Sequence, residues 1–272
     1  MKQKFTWHRG AQWGVVLLCA LTLKQYYSMA NANQLRWILA PTTTLVELVS
    51  GTSFEFESYA GYISGDRSFL IAPSCAGVNF LITAFLMLSA RKLLRDRSQD
   101  GGWGFIPAAA LIAYIVTLIA NTVRIVIALR LGGLPQVGGL NPHQLHRVEG
   151  ILVYFGFLLL LFVVCEKMSA GKTSGLLRHS FFPLLVYYAT VLGVPLANGG
   201  YRQGFGFWEH SALVLLIPLL LILPFAAFRW LMMSFSFAPA SKSERTPDNP
   251  CPTYLGYLTR ARRHCMARPD DQ

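Results

Sequence analysis

The chain has 272 residues, of which 53% are hydrophobic and only 14% charged, with a mean hydropathy of +0.42. A soluble domain carries about a quarter charged residues, so a soluble enzyme and a disordered protein are both excluded. The remaining charge is lopsided, 24 Lys+Arg against 13 Asp+Glu, net +11. On a membrane chain that excess points to positive cytoplasmic loops before nucleic acid.

Stretches nearly free of charge predict six spans, because a helix needs about 20 apolar residues to cross a bilayer. They are Gly10 to Gln34, Ser68 to Ala90, Trp103 to about Leu131, Gly150 to Cys165, Phe181 to Tyr201 and Ser211 to Phe228. Lys24 in the first is expected to snorkel to the interface. Arg36 to Ser50 is shorter and diluted by Pro41, three threonines and Glu47. Its apolar residues Leu35, Ile38, Leu39, Leu45, Val46 and Val49 share one helical stripe, which predicts an interfacial helix at the outer face. A seventh or eighth short span stays open. The expected fold is all-α, a polytopic membrane helix bundle. Residues 1–237 form the membrane domain and residues 238–272 a flexible basic cytoplasmic tail.

Lys2, Lys4 and Arg9 precede the first span, and Arg91, Lys92, Arg95 and Arg97 follow the second. Lys167, Lys172 and Arg178 lie between the fourth and fifth, and Arg229, Lys242, Arg245, Arg260, Arg262, Arg263 and Arg268 follow or end the sixth. The positive-inside rule then puts both termini in the cytoplasm of a multi-pass protein of the bacterial inner membrane. Phe54 to Arg67, with Glu55, Glu57 and Asp66, falls outside. No cleavable signal peptide and no internal repeat is expected.

Cys19, Cys165, Cys251 and Cys265 read as core or tail residues, and no spacing suggests zinc. Cys75 differs. It sits in Pro73-Ser74-Cys75-Ala76-Gly77, a small-residue turn at the outer start of the second span. There a sulfur meets the positive end of the helix dipole, and Ala76 and Gly77 leave room for a substrate backbone. The alternative is a small residue at a helix contact. Arg124 breaks a long apolar run in the outer half of the third span, with Asn121 one turn earlier to brace it; a snorkelling arginine is the rival reading. His146 opens the fourth span after a Gly/Pro-rich outer loop, with Glu149 one turn on to orient it, while His143 competes for the same role. Charge alone therefore gathers Cys75, Arg124 and His146 at the outer side from three helices. The set suits acyl transfer: a thiol nucleophile, an imidazole base and acid, and a permanent cation for the oxyanion.

At these residues the sequence resembles the exosortase/archaeosortase family of membrane cysteine transpeptidases, most like the exosortase K branch. The resemblance rests on Cys75-Ala76-Gly77, Asn121-Thr122-Val123-Arg124 and His146-Arg147-Val148-Glu149-Gly150, in that order, and covers roughly Phe69 to Glu166. It implies a Cys75 nucleophile, a His146 base and an Arg124 stabiliser, supported by Asn121, Gly77 and Glu149, with no cofactor and no metal. The implied partners are exported proteins ending in a short motif, a hydrophobic helix and a basic tail, within the lipid bilayer and without nucleic acid. The implied acceptor is an envelope component. Ala76 stands where many members carry Ser or Thr, and the last two spans carry no family motif.

Rival readings are a transporter with Arg124 as an anion site and helices broken at Pro195, Pro218 and Pro224, a non-catalytic envelope-assembly protein, and an acyltransferase using His146 without the thiol. Gly204-Phe205-Gly206-Phe207 is expected in an outer loop, and Glu209 and His210 are expected only to mark the interface.

Overall fold

The computed structural model describes residues 2–95, 102–131, 142–168, 176–197 and 205–235, with side chains for 7–95, 102–131, 144–168, 181–196 and 207–223. The tail from residue 238, the Gly/Pro-rich loop at 132–141 and the His143 side chain lie outside these. Contacts divide the chain into two units, Met1–Leu231 and Met232–Gln272, and every residue of the candidate site lies in the first.

The described chain is mostly helical. The helices are α1 (Lys2–Met29), α2 (Arg36–Ser50), α3 (Val78–Arg95), α4 (Phe105–Leu131), α5 (Pro142–Met168), α6 (Leu176–Tyr188), α7 (Val194–Ala197) and α8 (Phe205–Phe235). Among the described residues, three helical stretches are long and apolar enough to cross a bilayer: Pro73–Arg95, Phe105–Leu131 and Gln144–Met168. Phe181–Leu196 and Phe207–Leu223 are shorter apolar helices. These stretches mark the chain as membrane-associated. On α4, Leu111, Ile112, Ile115, Ile119 and Val123 point outward, an apolar exterior that suits lipid and not water.

The expectation of an all-α fold is corrected by a small antiparallel sheet between α2 and α3. It has the order β1 (Phe54–Glu57), β2 (Gly61–Ser64), β3 (Leu70–Ile71), with Phe56 opposite Tyr62 and Tyr62 opposite Ile71. Phe54-Glu55-Phe56-Glu57 alternates with the period of a strand, half-buried phenylalanines against exposed glutamates. Asp66 closes the β2–β3 turn by accepting the Ser68 backbone N–H at 3.1 Å and its hydroxyl at 2.7 Å. A hydrogen bond from the Ser64 side chain, together with these two, holds the Asp66 carboxyl down at about 2. The sheet also shortens the expected span at Ser68. Leu70 and Ile71 are strand, and helical backbone starts at Pro73.

α2 packs against α4 and touches β2. Its buried face is Ile38, Leu39, Thr42, Thr43 and Val46. Only part of the anticipated stripe is therefore inside; Val49 is 60% exposed. Thr42 takes a core position by returning its hydroxyl to the Ile38 carbonyl at 2.8 Å, while the Thr43 hydroxyl is buried without a hydrogen-bond partner. Trp37 stacks on Tyr114, whose hydroxyl donates to the Trp37 carbonyl at 2.7 Å.

α1 runs antiparallel to α3. Arg9 donates to the Leu93 carbonyl at 2.7 Å and Lys24 to Asn79 Oδ1 at 2.8 Å, near opposite ends of both helices. Lys24 thus has a protein partner. α3 and α5 run parallel, joined at their C-terminal ends where Glu166 accepts from Arg91 at 2.7 Å and Arg95 at 3.1 Å. The bundle therefore has two unlike ends. One carries Arg9, Arg91, Arg95 and Glu166; the other carries Lys24, Cys75 and the start of α5.

Between α6 and α7 lies a π-helical turn, Ala189–Gly193. Pro195 explains it, since it has no N–H to donate one turn back and its ring crowds that carbonyl. Thr83 Oγ1 ties the turn to α3 through Thr190 Oγ1 at 2.9 Å. α8 continues helical through Pro218 and Pro224, where the transporter reading expects breaks. It begins at Phe205, so the Phe205-Gly206-Phe207 run is helical instead of loop.

Candidate active site

The first part of the site is the turn that carries Cys75. Pro73–Cys75 form a single 3₁₀ turn, with the Cys75 N–H on the Ala72 carbonyl at 2.8 Å and the Ala76 N–H on the Pro73 carbonyl at 3.1 Å. Gly77 then turns the chain with φ of +72°, a conformation glycine adopts without strain. Its carbonyl accepts from Phe80 and Leu81 and so starts α3. Space also demands glycine there: a Cβ would stand 3.2 Å from the Asn121 side-chain amide carbon and 3.4 Å from the Tyr154 hydroxyl. Ala76 is fully buried beside it.

α4 supplies Asn121 and Arg124, one turn apart. Asn121 is fully buried, and its amide donates to the Cys75 carbonyl at 2.6 Å. It braces the Cys75 turn, therefore, and is linked to Arg124 through a residue that motif reading passed over. That residue is Tyr154 on α5, whose hydroxyl donates to Asn121 Oδ1 at 2.8 Å and accepts from Arg124 Nη1 at 3.3 Å. The Tyr154 ring stacks on Phe80 at 4.9 Å between centroids. Helical spacing is the signal that could have found it, since Tyr154 follows His146 and Gly150 on the same face.

α5 supplies His146 in its second turn. His146 Nε2 lies 2.6 Å from Arg124 Nη2. A guanidinium can only donate, so Nε2 accepts, and the ring proton sits on Nδ1. Nδ1 faces Glu149 Oε2 at 3.4 Å. The imidazole is also within hydrogen-bonding reach of the Cys75 thiol. Cys75, Arg124 and His146 thus meet from three separate elements. Glu149 is only 6% exposed, and its Oε1, like Arg124 Nε, is buried without a hydrogen-bond partner. Gly150 makes room for the arginine: a Cβ there would lie 3.2 Å from Arg124 Nε.

A cavity of about 260 Å³ opens beside this cluster. Ser74, Gly77, Arg124 and His146 line its chemical end, while Phe80, Ile151, Tyr187, Val191 and Val214 make an apolar wall. His210 and Arg147 also line it. The remaining cysteines lie elsewhere: Cys19 is exposed on α1, and Cys165 lies near the far end of α5 beside Arg91, which donates to its carbonyl at 2.8 Å. Among the described residues, no group of three or more His, Cys, Asp or Glu side chains is placed to hold a metal ion.

The arrangement can do acyl chemistry. A thiol, an imidazole whose Nε2 lone pair is engaged by Arg124, and a fixed cation meet there, with His146 and Arg124 lining the apolar-walled space and Cys75 next to its lining residue Ser74. No known protein family, curated protein or solved structure matches the chain.

Proposed function

We propose that the chain is a membrane-embedded cysteine transpeptidase of the exosortase/archaeosortase kind. On this reading it cleaves a C-terminal sorting signal of exported proteins at the outer face of the inner membrane. One arrangement carries the proposal: His146 Nε2 lies 2.6 Å from Arg124 Nη2, and both side chains act on the Cys75 thiol. A scaffold needs no such convergence, and a transporter needs no thiol in it.

The steps follow from the geometry. Substrate enters along the apolar wall with its scissile carbonyl beside Cys75. Arg124 turns an N–H from His146 Nε2 to the carbonyl oxygen, which frees Nε2 to take the thiol proton. The thiolate attacks the carbonyl carbon, and the oxyanion forms against the guanidinium. Glu149 meets the imidazolium at Nδ1. The carbon–nitrogen bond then breaks, His146 returns the proton to the leaving amine, and a thioester remains on Cys75. An acceptor amine, or water, gives its proton to His146 and attacks the thioester. The carbon–sulfur bond breaks, and the thiol is regenerated. The chain's topology on this reading is six spans, with α2 along the outer interface and both termini cytoplasmic.

The test is Cys75→Ala in the host. Membrane proteins bearing a C-terminal motif, hydrophobic helix and basic tail are then followed by mass spectrometry. The expected outcome is accumulation of uncleaved precursors. Normal processing in that strain would sink the proposal.

A further inference from the structure

Three hydrogen bonds link the permanent cation to the backbone of the nucleophile, and their direction has no freedom. Arg124 can only donate, so the Tyr154 oxygen must accept. The Tyr154 proton is thereby committed to Asn121 Oδ1. That in turn fixes the amide so that Nδ2 points to the Cys75 carbonyl at 2.6 Å. A run of aligned hydrogen bonds in a low dielectric polarises each successive member. Tyr154 is the only member from α5, and its hydroxyl reaches two α4 residues, Asn121 and Arg124. Its ring is held by Phe80 on one side, and Arg124 Cζ stands 5.4 Å from its centroid.

We propose that Tyr154 is a positioning residue that couples Arg124 to the Cys75 turn. It sets the height of the guanidinium relative to the thiol and locks the turn that presents the sulfur. The proposal rests on the transpeptidase reading, in which Arg124 and Cys75 act on one carbonyl. Without the hydroxyl, Arg124 loses its Nη1 acceptor and Asn121 its donor, while the ring and the stack on Phe80 remain.

The full chain, purified in detergent, carries the test, with iodoacetamide as the probe. The alkylation rate at Cys75 is read by peptide mass spectrometry from about pH 5 to pH 9, a range that brackets thiol ionisation. Cys165, near the far end of α5, serves as the internal reference. In Tyr154→Phe the Cys75 rate is expected to fall about fivefold, the scale of one net hydrogen bond, and the midpoint of its pH profile to move. The Cys165 rate stays constant. Looser packing alone changes the plateau and leaves the midpoint in place. His146→Ala tests the underlying reading: if it leaves Cys75 reactivity unchanged, thiol activation by His146 fails. If His146→Ala slows Cys75 while Tyr154→Phe does not, the role of Tyr154 alone is overturned. Should Tyr154→Phe fail to fold, Asn121→Ala cuts the same chain one link later. The same slowing is expected there, and an unchanged rate overturns the proposal.

Discussion

Gly150 has no chemistry of its own, yet it sets where Arg124 can stand. A methyl group at this position would lie 3.2 Å from Arg124 Nε, closer than side chains ordinarily tolerate. The arginine cannot simply swing away, because Nη2 is held by His146 and Nη1 by Tyr154. Gly150→Ala should therefore move the guanidinium by a few tenths of an ångström and cost activity while sparing the fold. Misplacement on this scale is expected to reduce kcat/KM on the order of tenfold. Substrate processing in cells and the melting midpoint of the purified chain check the two halves of that expectation. At this scale the sequence was readable wherever a residue broke its background. A cysteine in a turn of small residues, an arginine in an apolar run and paired histidines at a loop exit all stand out. Tyr154 does not, because a tyrosine among Phe155 and Phe157 looks like packing. Its role depends on a hydroxyl direction that only three-dimensional neighbours define. The two glycines were visible as parts of motifs, but the reason for each was not: one makes room for Asn121, the other for Arg124.

Among the elements, long apolar helices were legible and their beginnings were not. Ser68 to Ile71 is as apolar as a helix start, but Ile71 pairs with Tyr62 and the segment becomes a strand. The four-residue alternation at Phe54 to Glu57 is too short to outweigh its acidic charge in a sequence reading. α2 was correctly amphipathic with a shifted face, since Thr42 satisfies its own hydroxyl inside the helix. The far-end cluster of Arg91, Arg95 and Glu166 fastens the C-terminal ends of α3 and α5. The Arg91 and Glu166 side chains there are 14% and 16% exposed. Removing the carboxylate takes from Arg91 and Arg95 the acceptor they share. Glu166→Ala is expected to destabilise the bundle by about 1–3 kcal/mol. That corresponds to a melting midpoint lower by about 5 °C for a chain of this size. Alkylation of Cys75 in the folded protein should be unaffected at low temperature, because the candidate site lies at the opposite end. A change there as large as the stability loss would mean that register, not only stability, depends on Glu166.

For the whole molecule, the unlike ends of the bundle and the charge pattern of the sequence make one statement about sidedness. Arg9, Arg91, Lys92 and Arg95 gather at the end opposite Cys75. On the proposed topology that end faces the cytoplasm, and the sheet, with Glu55, Glu57 and Asp66, faces outward with the Cys75 turn. An outward-facing thiol has first access to exported proteins as they leave the membrane. A cytoplasmic one would meet them before export, and the proposed sorting role would lose its order of events. Tyr59, fully exposed between β1 and β2, and the exposed Lys92 near the end of α3 report the two sides. In a background with the native cysteines replaced, Tyr59→Cys should react with a membrane-impermeant maleimide on intact spheroplasts. Lys92→Cys should react only after permeabilisation. The reverse pattern would place Cys75 in the cytoplasm and remove the sorting role, whatever the chemistry of the site. Labelling of both without permeabilisation would mean that α3 does not separate two compartments, and the span assignment itself would fall.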